Sequence, residues 1–238
     1  MPKLDSRPGL SSALRLPTFS AVIFDMDNLA IDSEPSFIVA WRRAALEFGA
    51  CLDERLLRGL LGRSADEVVL ALGQAIGEGF DGRRFNRLAA RCWREHVEAE
   101  GISPMPGLLG LLELLRRNRI PYALATNSSG VIAADCLRLS GLGSHFPLAV
   151  TREQVSSGKP SPDLFFLAAE RLGCPASECL VLEDSAVGLQ AAASAGMLPV
   201  LVNAKAAEAG LQGLAAMNFL SLHEVADSIK LTLQLGSE

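Results

Sequence analysis

Lysine is scarce in this chain, with four residues (Lys3, Lys159, Lys205 and Lys230) against eighteen arginines. No basic tract occurs and the formal net charge is −5. Nucleic-acid affinity rests largely on phosphate neutralisation by Lys and Arg, so no nucleic-acid partner is expected. No apolar run approaches the roughly 20 residues that cross a bilayer, so no membrane partner is expected either. The five cysteines (Cys51, Cys92, Cys136, Cys174, Cys179) form no C-x-x-C pair, as for thiols kept in a reducing compartment. Residues 1–19 lack the apolar stretch of a secretory signal and are read as a tail, which points to a cytoplasmic location. His96, His145 and His223 show no ligand spacing, among themselves or with the cysteines, and give zinc no support. Neither G-x-x-x-x-G-K-[ST] nor G-x-G-x-x-G follows a strand-like run, so no Walker or dinucleotide site is indicated.

What is present is an ordinary globular composition, 49% hydrophobic and 21% charged over 238 residues. At about 150 residues per domain this leaves one large domain or two small ones open. Short apolar runs without polar alternation, the mark of strands buried on both faces, fall at 19–24, 121–125, 148–150, 179–182 and 198–202. Stretches with apolar residues at helical spacing lie between the later runs, at 107–118, 131–139, 162–172 and 187–195. Such alternation predicts an α/β fold, a Rossmann-like parallel sheet with helices on both faces. Residues 33–103 carry helical patterns throughout, with Gly59, Gly62, Gly73 and 77–82 as breaks between about four helices. This block reads as an inserted all-helical cap domain (33–103) on a core built from 20–32 and 104–238. Arg83, Arg84, Arg87, Arg91 and Arg94 share one helix face, as a solvated stripe or an anion-steering rim.

The polar residues that need explaining follow the apolar runs. Asp25 and Asp27 come after the first, Thr126, Asn127 and Ser128 after the second, and Glu183 and Asp184 after the fourth. Ligands of open parallel sheets bind beyond the carboxyl ends of the strands, so three segments deliver carboxylates and hydroxyls to one edge. A single Asp after a strand is commonly a turn or helix cap; three such segments together are not. Two carboxylates two residues apart persist when a cation neutralises them or when one holds a proton for catalysis. With Asp184 and Glu183 they form the oxygen-rich group that suits Mg²⁺. Lys159 stands in a loop stiffened by Pro160 and Pro162, a compact charge suited to a phosphate or carboxylate. Aspartate, Mg²⁺, hydroxyls and lysine are together what phosphoryl transfer requires.

Four segments in order, AVIFDMDNLAIDSE (21–34), LATNSS (124–129), SGKPSPDLF (157–165) and LVLEDSAVGLQAAASAGM (180–197), resemble the motifs of the haloacid dehalogenase superfamily. The last two are closest to the branch of β-phosphoglucomutase and small sugar-phosphate phosphatases. The resemblance implies an enzyme with a helical cap inserted after the first strand. It implies Asp25 as nucleophile, Asp27 as general acid and then base, and Lys159 as the neutralising cation. Thr126, the Asn127 main-chain N–H and Ser128 would bind the phosphoryl group, and Arg63 in the cap loop the substrate. Mg²⁺ would be held by Asp25, the Asp27 carbonyl and Asp184, with Glu183 orienting the shell. The partner is then a small phosphorylated metabolite, and a monomer is expected. An acid at position 27 is unlike the true dehalogenases of the family, and a cap without lysine is unlike its phosphonate-cleaving members. The family usually has Gly where Asn28 stands, and Asn is the next residue to tolerate the positive φ such a turn demands. Phe37 stands where mutase relatives have His, and Ala65 follows Gly62-Arg63-Ser64 in place of their pattern. Both departures favour hydrolysis over mutase activity.

Overall fold

The structure, a computed structural model, describes residues 15–61, 65–202 and 211–235. Its centre is a six-stranded, all-parallel sheet of β1 (Ala21–Phe24), β2 (Tyr122–Ala125), β3 (Ala149–Val150), β4 (Cys179–Glu183), β5 (Leu198–Val202) and β6 (Met217–Phe219), in the order β3-β2-β1-β4-β5-β6. The α/β class expected from the alternation of apolar runs is the one observed. β6 was not among the expected strands; its three residues, Met-Asn-Phe, are too short a run to stand out.

Alternation along β1 explains the two faces. Val22 and Phe24 belong to one apolar cluster, packed beneath α5 (Leu108–Arg117), α6 (Gly130–Leu139) and α9 (Leu222–Leu235). Ala21 and Ile23 face the other way, against α7 (Asp163–Leu172) and α8 (Ala186–Ser194). Successive strand residues point to opposite faces, so a strand covered on both sides must be apolar at every position. β1 is fully buried along its length.

Between β1 and α5 the described residues form four helices, α1 (Glu34–Leu46), α2 (Glu54–Arg58), α3 (Ala65–Ile76) and α4 (Gly82–Glu100). They enclose a cluster of their own, in which Phe48, Phe80 and Phe85 meet with ring centroids 5.6–6.0 Å apart. Asp53 and Asp81 cap α2 and α4 by accepting main-chain N–H groups of the first turn. Two of the expected breaks are where predicted: Gly59 caps α2, and 77–82 separates α3 from α4, while Gly62 lies outside the described residues. Gly73 is not a break. It lies inside α3, where a Cβ would come within 2.9 Å of the Phe80 ring, so close packing explains it. The arginine face of α4 is exposed, with Arg91 near Glu95 and the Arg84 guanidinium over the Phe48 ring. The C-terminal part of α4 leaves this cluster for the sheet's core through Trp93 and Val97. All five cysteines are free thiols. No helix among the described residues is long and apolar enough to cross a membrane.

Candidate active site

Sheet register assembles the site. Phe24 of β1 pairs with Leu124 of β2 and with Leu182 of β4, so the next residues, Asp25, Ala125 and Glu183, emerge side by side. The Asp25 N–H donates to the Leu182 carbonyl at 3.0 Å and extends the pairing by one residue. The strand order reverses between β1 and β4, the switch point where doubly wound sheets open a crevice for ligands.

Lys159 enters this crevice from the loop before α7 and is buried, although it is a lysine. Its Nζ donates to Asp25 Oδ1, to Glu183 Oε1 at 2.6 Å and to the Ala125 carbonyl at 2.9 Å. Three acceptors use all three ammonium hydrogens, the condition under which a charge can be buried. Burial alone would lower the Lys159 pKa; attraction to Asp25 and Glu183 outweighs it and the net shift is upward. The ammonium stays charged.

One lysine does not balance the carboxylates around it. Burial and the neighbouring Glu183 push Asp25 up to about 7, against the pull of Lys159. Burial, then Asp25 and Glu183, raise Asp184 well above the usual carboxylate range. Burial also raises Asp27, and hydrogen bonds from Ser33 and Ser128 only partly offset it. The Ser128 hydroxyl reaches Asp27 Oδ2 at 3.3 Å. Glu183 is fully buried: Oε1 takes Lys159, and Oε2 takes the Ser185 hydroxyl at 2.8 Å and its N–H at 3.2 Å. Ser185 also caps α8 by accepting the Gly188 N–H.

Asp25, Glu183 and Asp184 each offer a carboxylate oxygen, all within 4.8 Å of one another. Hard oxygen donors that resist joint ionisation, with no sulfur or imidazole among them, fit a cation such as Mg²⁺. The residues present therefore suit the metal that the acidic pattern led one to expect.

The other expected residues are close by. Thr126 is buried, and its hydroxyl accepts the Ser128 N–H at 3.0 Å. The Asn127 side chain turns to the main chain of Lys159. Asn28 adopts φ 58°, the left-handed conformation its tolerance allows, and its N–H closes the turn on the Ile31 carbonyl. Arg63 lies outside the described residues. Sequence reasoning gave no role to Ser33, whose hydroxyl donates to Asn28 Oδ1 at 3.3 Å in the turn that carries Asp27, or to Gly188, which makes room for Glu183. Ser33 was visible as a letter of the first motif at the start of the expected cap, and Gly188 as a letter of the fourth motif within an expected helix.

Fold and site together define an α/β enzyme whose acidic centre lies at the sheet's switch point. A family model of haloacid dehalogenase-like hydrolases matches residues 19–196. The chain belongs to that family. It is 35% identical over 177 residues to the phosphorylated carbohydrates phosphatase of Thermotoga maritima, covering 74% of this chain and 82% of that protein. It is 34% identical over 187 residues to hexitol phosphatase A of Escherichia coli, with 77% and 83% covered. The β-phosphoglucomutase of Bacillus subtilis is 28% identical over 187 residues, with 76% and 81% covered. Among solved structures, a HAD family hydrolase from Deinococcus radiodurans with bound phosphate and sodium superimposes with a TM-score of 0.74, at 27% identity over 90% of this chain and 96% of that one.

Proposed function

We propose that this chain is a Mg²⁺-dependent phosphatase of small phosphorylated metabolites, sugar phosphates foremost, working through a phosphoaspartyl intermediate. One observation carries the reading: Asp25, open enough to be reached, lies beside the buried Lys159 ammonium and two further carboxylates at the switch point. The phosphatase names of two similar proteins support the reaction class, and the carbohydrate and hexitol in those names support the substrate class.

In the proposed reaction an Asp25 oxygen attacks phosphorus, and the bond from phosphorus to the leaving alcohol oxygen breaks. Asp27, whose pKa burial raises and whose carboxyl accepts the Ser128 hydroxyl, gives a proton to that oxygen. The Asp27 carboxylate so formed takes a proton from an incoming water, which attacks the phosphoaspartate, frees Asp25 and releases phosphate. Lys159, the Thr126 hydroxyl, the Asn127 main-chain N–H and Ser128 stabilise charge on the transferring group. Asp25, the Asp27 carbonyl and Asp184 would hold Mg²⁺, with Glu183 orienting the shell. When bound, the cation supplies neutralising charge that lets Asp25 ionise beside its acidic neighbours.

We further read residues 33–103 as a cap that closes on a core of 20–32 and 104–238 and excludes bulk water, with Arg63 for the substrate; of the expected tail at 1–19, residues 1–14 lie outside the described residues and Leu16 is buried in the sheet's core. The Phe37–Trp41 and Phe37–Trp93 ring stacks on α1 and α4 suit a cap built as one unit. A monomer in the cytoplasm, without nucleic-acid or membrane partners, completes the reading.

A phosphomutase is the second reading, favoured by the similarity to β-phosphoglucomutase. Phe37, where mutase relatives have His, opposes it. A phosphate-release screen over metabolite phosphates, with glucose 6-phosphate formed from glucose 1-phosphate measured in parallel, separates the two. Hydrolysis gives free phosphate abolished by Asp25→Asn; sugar-phosphate interconversion without phosphate release establishes the mutase.

A further inference from the structure

The Asn127 side chain makes two hydrogen bonds, and both go to one residue. Its Oδ1 accepts the main-chain N–H of Lys159 at 2.8 Å, and its Nδ2 donates to the Lys159 carbonyl at 3.2 Å. The partners fix the amide's orientation, because the flipped amide would set donor against donor and acceptor against acceptor. Gly158 makes this approach possible: a Cβ there would lie 2.4 Å from Asn127 Oδ1 and 2.7 Å from Arg152 Cδ.

Lys159 is thus held at both ends by the end of β2. Its tip donates to the Ala125 carbonyl, and its main chain is gripped by Asn127 two residues on. A lysine side chain has four rotatable bonds, and its ammonium is only as well placed as the backbone that carries it. The loop bearing Lys159 is 32 residues further along the chain than Asn127. The amide is the direct side-chain tie between the two loops, beside the ammonium's own contacts.

We propose that Asn127 is a positioning residue, whose side chain sets the Lys159 ammonium against the transferring phosphoryl group and does not itself bind phosphate. The contribution left to Asn127 at the phosphate is its main-chain N–H. The inference rests on reading Lys159 as the lysine that neutralises the phosphoryl group.

Asn127→Ala in the full chain with Mg²⁺ tests it by two measurements. The Lys159 main-chain amide should exchange with solvent roughly five- to tenfold faster, as for loss of one hydrogen bond. In phosphate release, kcat should fall by about 10–100-fold, the scale of a small misplacement of a catalytic group, with KM within about threefold. Gly158→Ala, which pushes the amide aside while keeping Asn127, should reproduce both effects. Unchanged exchange overturns the clamp. A raised KM with kcat intact, or a kcat indifferent to faster exchange, overturns the positioning role. If the wild-type chain hydrolyses no phosphate ester, the phosphatase reading falls, and the exchange measurement still decides the clamp.

Discussion

The carboxylate of Glu183 occupies the space that a side chain at position 188 would need. A Cβ on Gly188 would lie 1.9 Å from Glu183 Oε1 and Cδ. Alanine in place of glycine inside a helix ordinarily stabilises by about 1 kcal/mol. Here the sign reverses, because Glu183 is fully buried and bound to Lys159 and Ser185, and has nowhere to retreat. Gly188→Ala should destabilise the protein by about 1–3 kcal/mol, the usual cost of overpacking. By displacing one of the three acceptors of Lys159 it should also lower kcat by roughly 100-fold. Thermal unfolding and phosphate release on the same sample check both; a more stable, fully active variant contradicts the packing described.

The carboxyl groups of the site make the metal-free protein sensitive to pH in a definite direction. The Asp25 pKa is raised by burial first and then by Glu183, and that of Asp184 by burial first and then by Asp25 and Glu183, so the folded state holds protons that the unfolded chain has released. Their stabilising effect is complete below the unfolded value near 4, and is lost as pH rises toward the folded value, about 7 for Asp25. Chelator-treated protein should therefore gain stability at pH 8 when Asp184→Asn removes one of the charges. Mg²⁺ should raise the melting temperature of wild type more at pH 8 than at pH 5.5, and should not raise that of the variant. A Mg²⁺ shift of equal size at both pH values, or one kept by Asp184→Asn, contradicts the assignment.

Phe85 anchors the helical segment between β1 and α5. It is 1% exposed and meets Phe48 and Phe80. Phe85→Ala should cost about 3–5 kcal/mol, as large core truncations do. The sheet draws on other clusters, so hydrogen exchange should rise in α1–α3 and the N-terminal half of α4 well before it rises in β1, β2 and β4. Uniform loss of protection across the chain would mean that the helical segment shares one cooperative core with the sheet.

The legible part of this molecule was the part where one physical rule dominates. β1, β2, β4 and β5 are buried on both faces and are apolar but for Glu183 at the end of β4, so their runs stood out and the polar residues at the ends of β1, β2 and β4 pointed to one edge. Asn28 was readable because a left-handed φ admits few residues. β6 was not: with three residues, Asn218 exposed among them, it leaves no apolar run. The glycines at 73 and 188 were opaque for a different reason. Spacing suggests a glycine breaks a helix, whereas here each admits a side chain from elsewhere in the chain, Phe80 or Glu183. The Asn127 side chain was hidden likewise, since its partner is distant in sequence and is a main chain, which leaves no trace in residue type.

In the proposed reaction Asp25 becomes covalently phosphorylated during hydrolysis. The most direct measurement is acid quenching of the Mg²⁺-loaded enzyme during turnover of a ³²P-labelled sugar phosphate, followed by peptide mapping. Acid-stable, base-labile label is expected on the peptide carrying Asp25, formed and lost at rates compatible with kcat and missing from Asp25→Asn. Turnover with no label on that peptide, or with label on another residue, would contradict it.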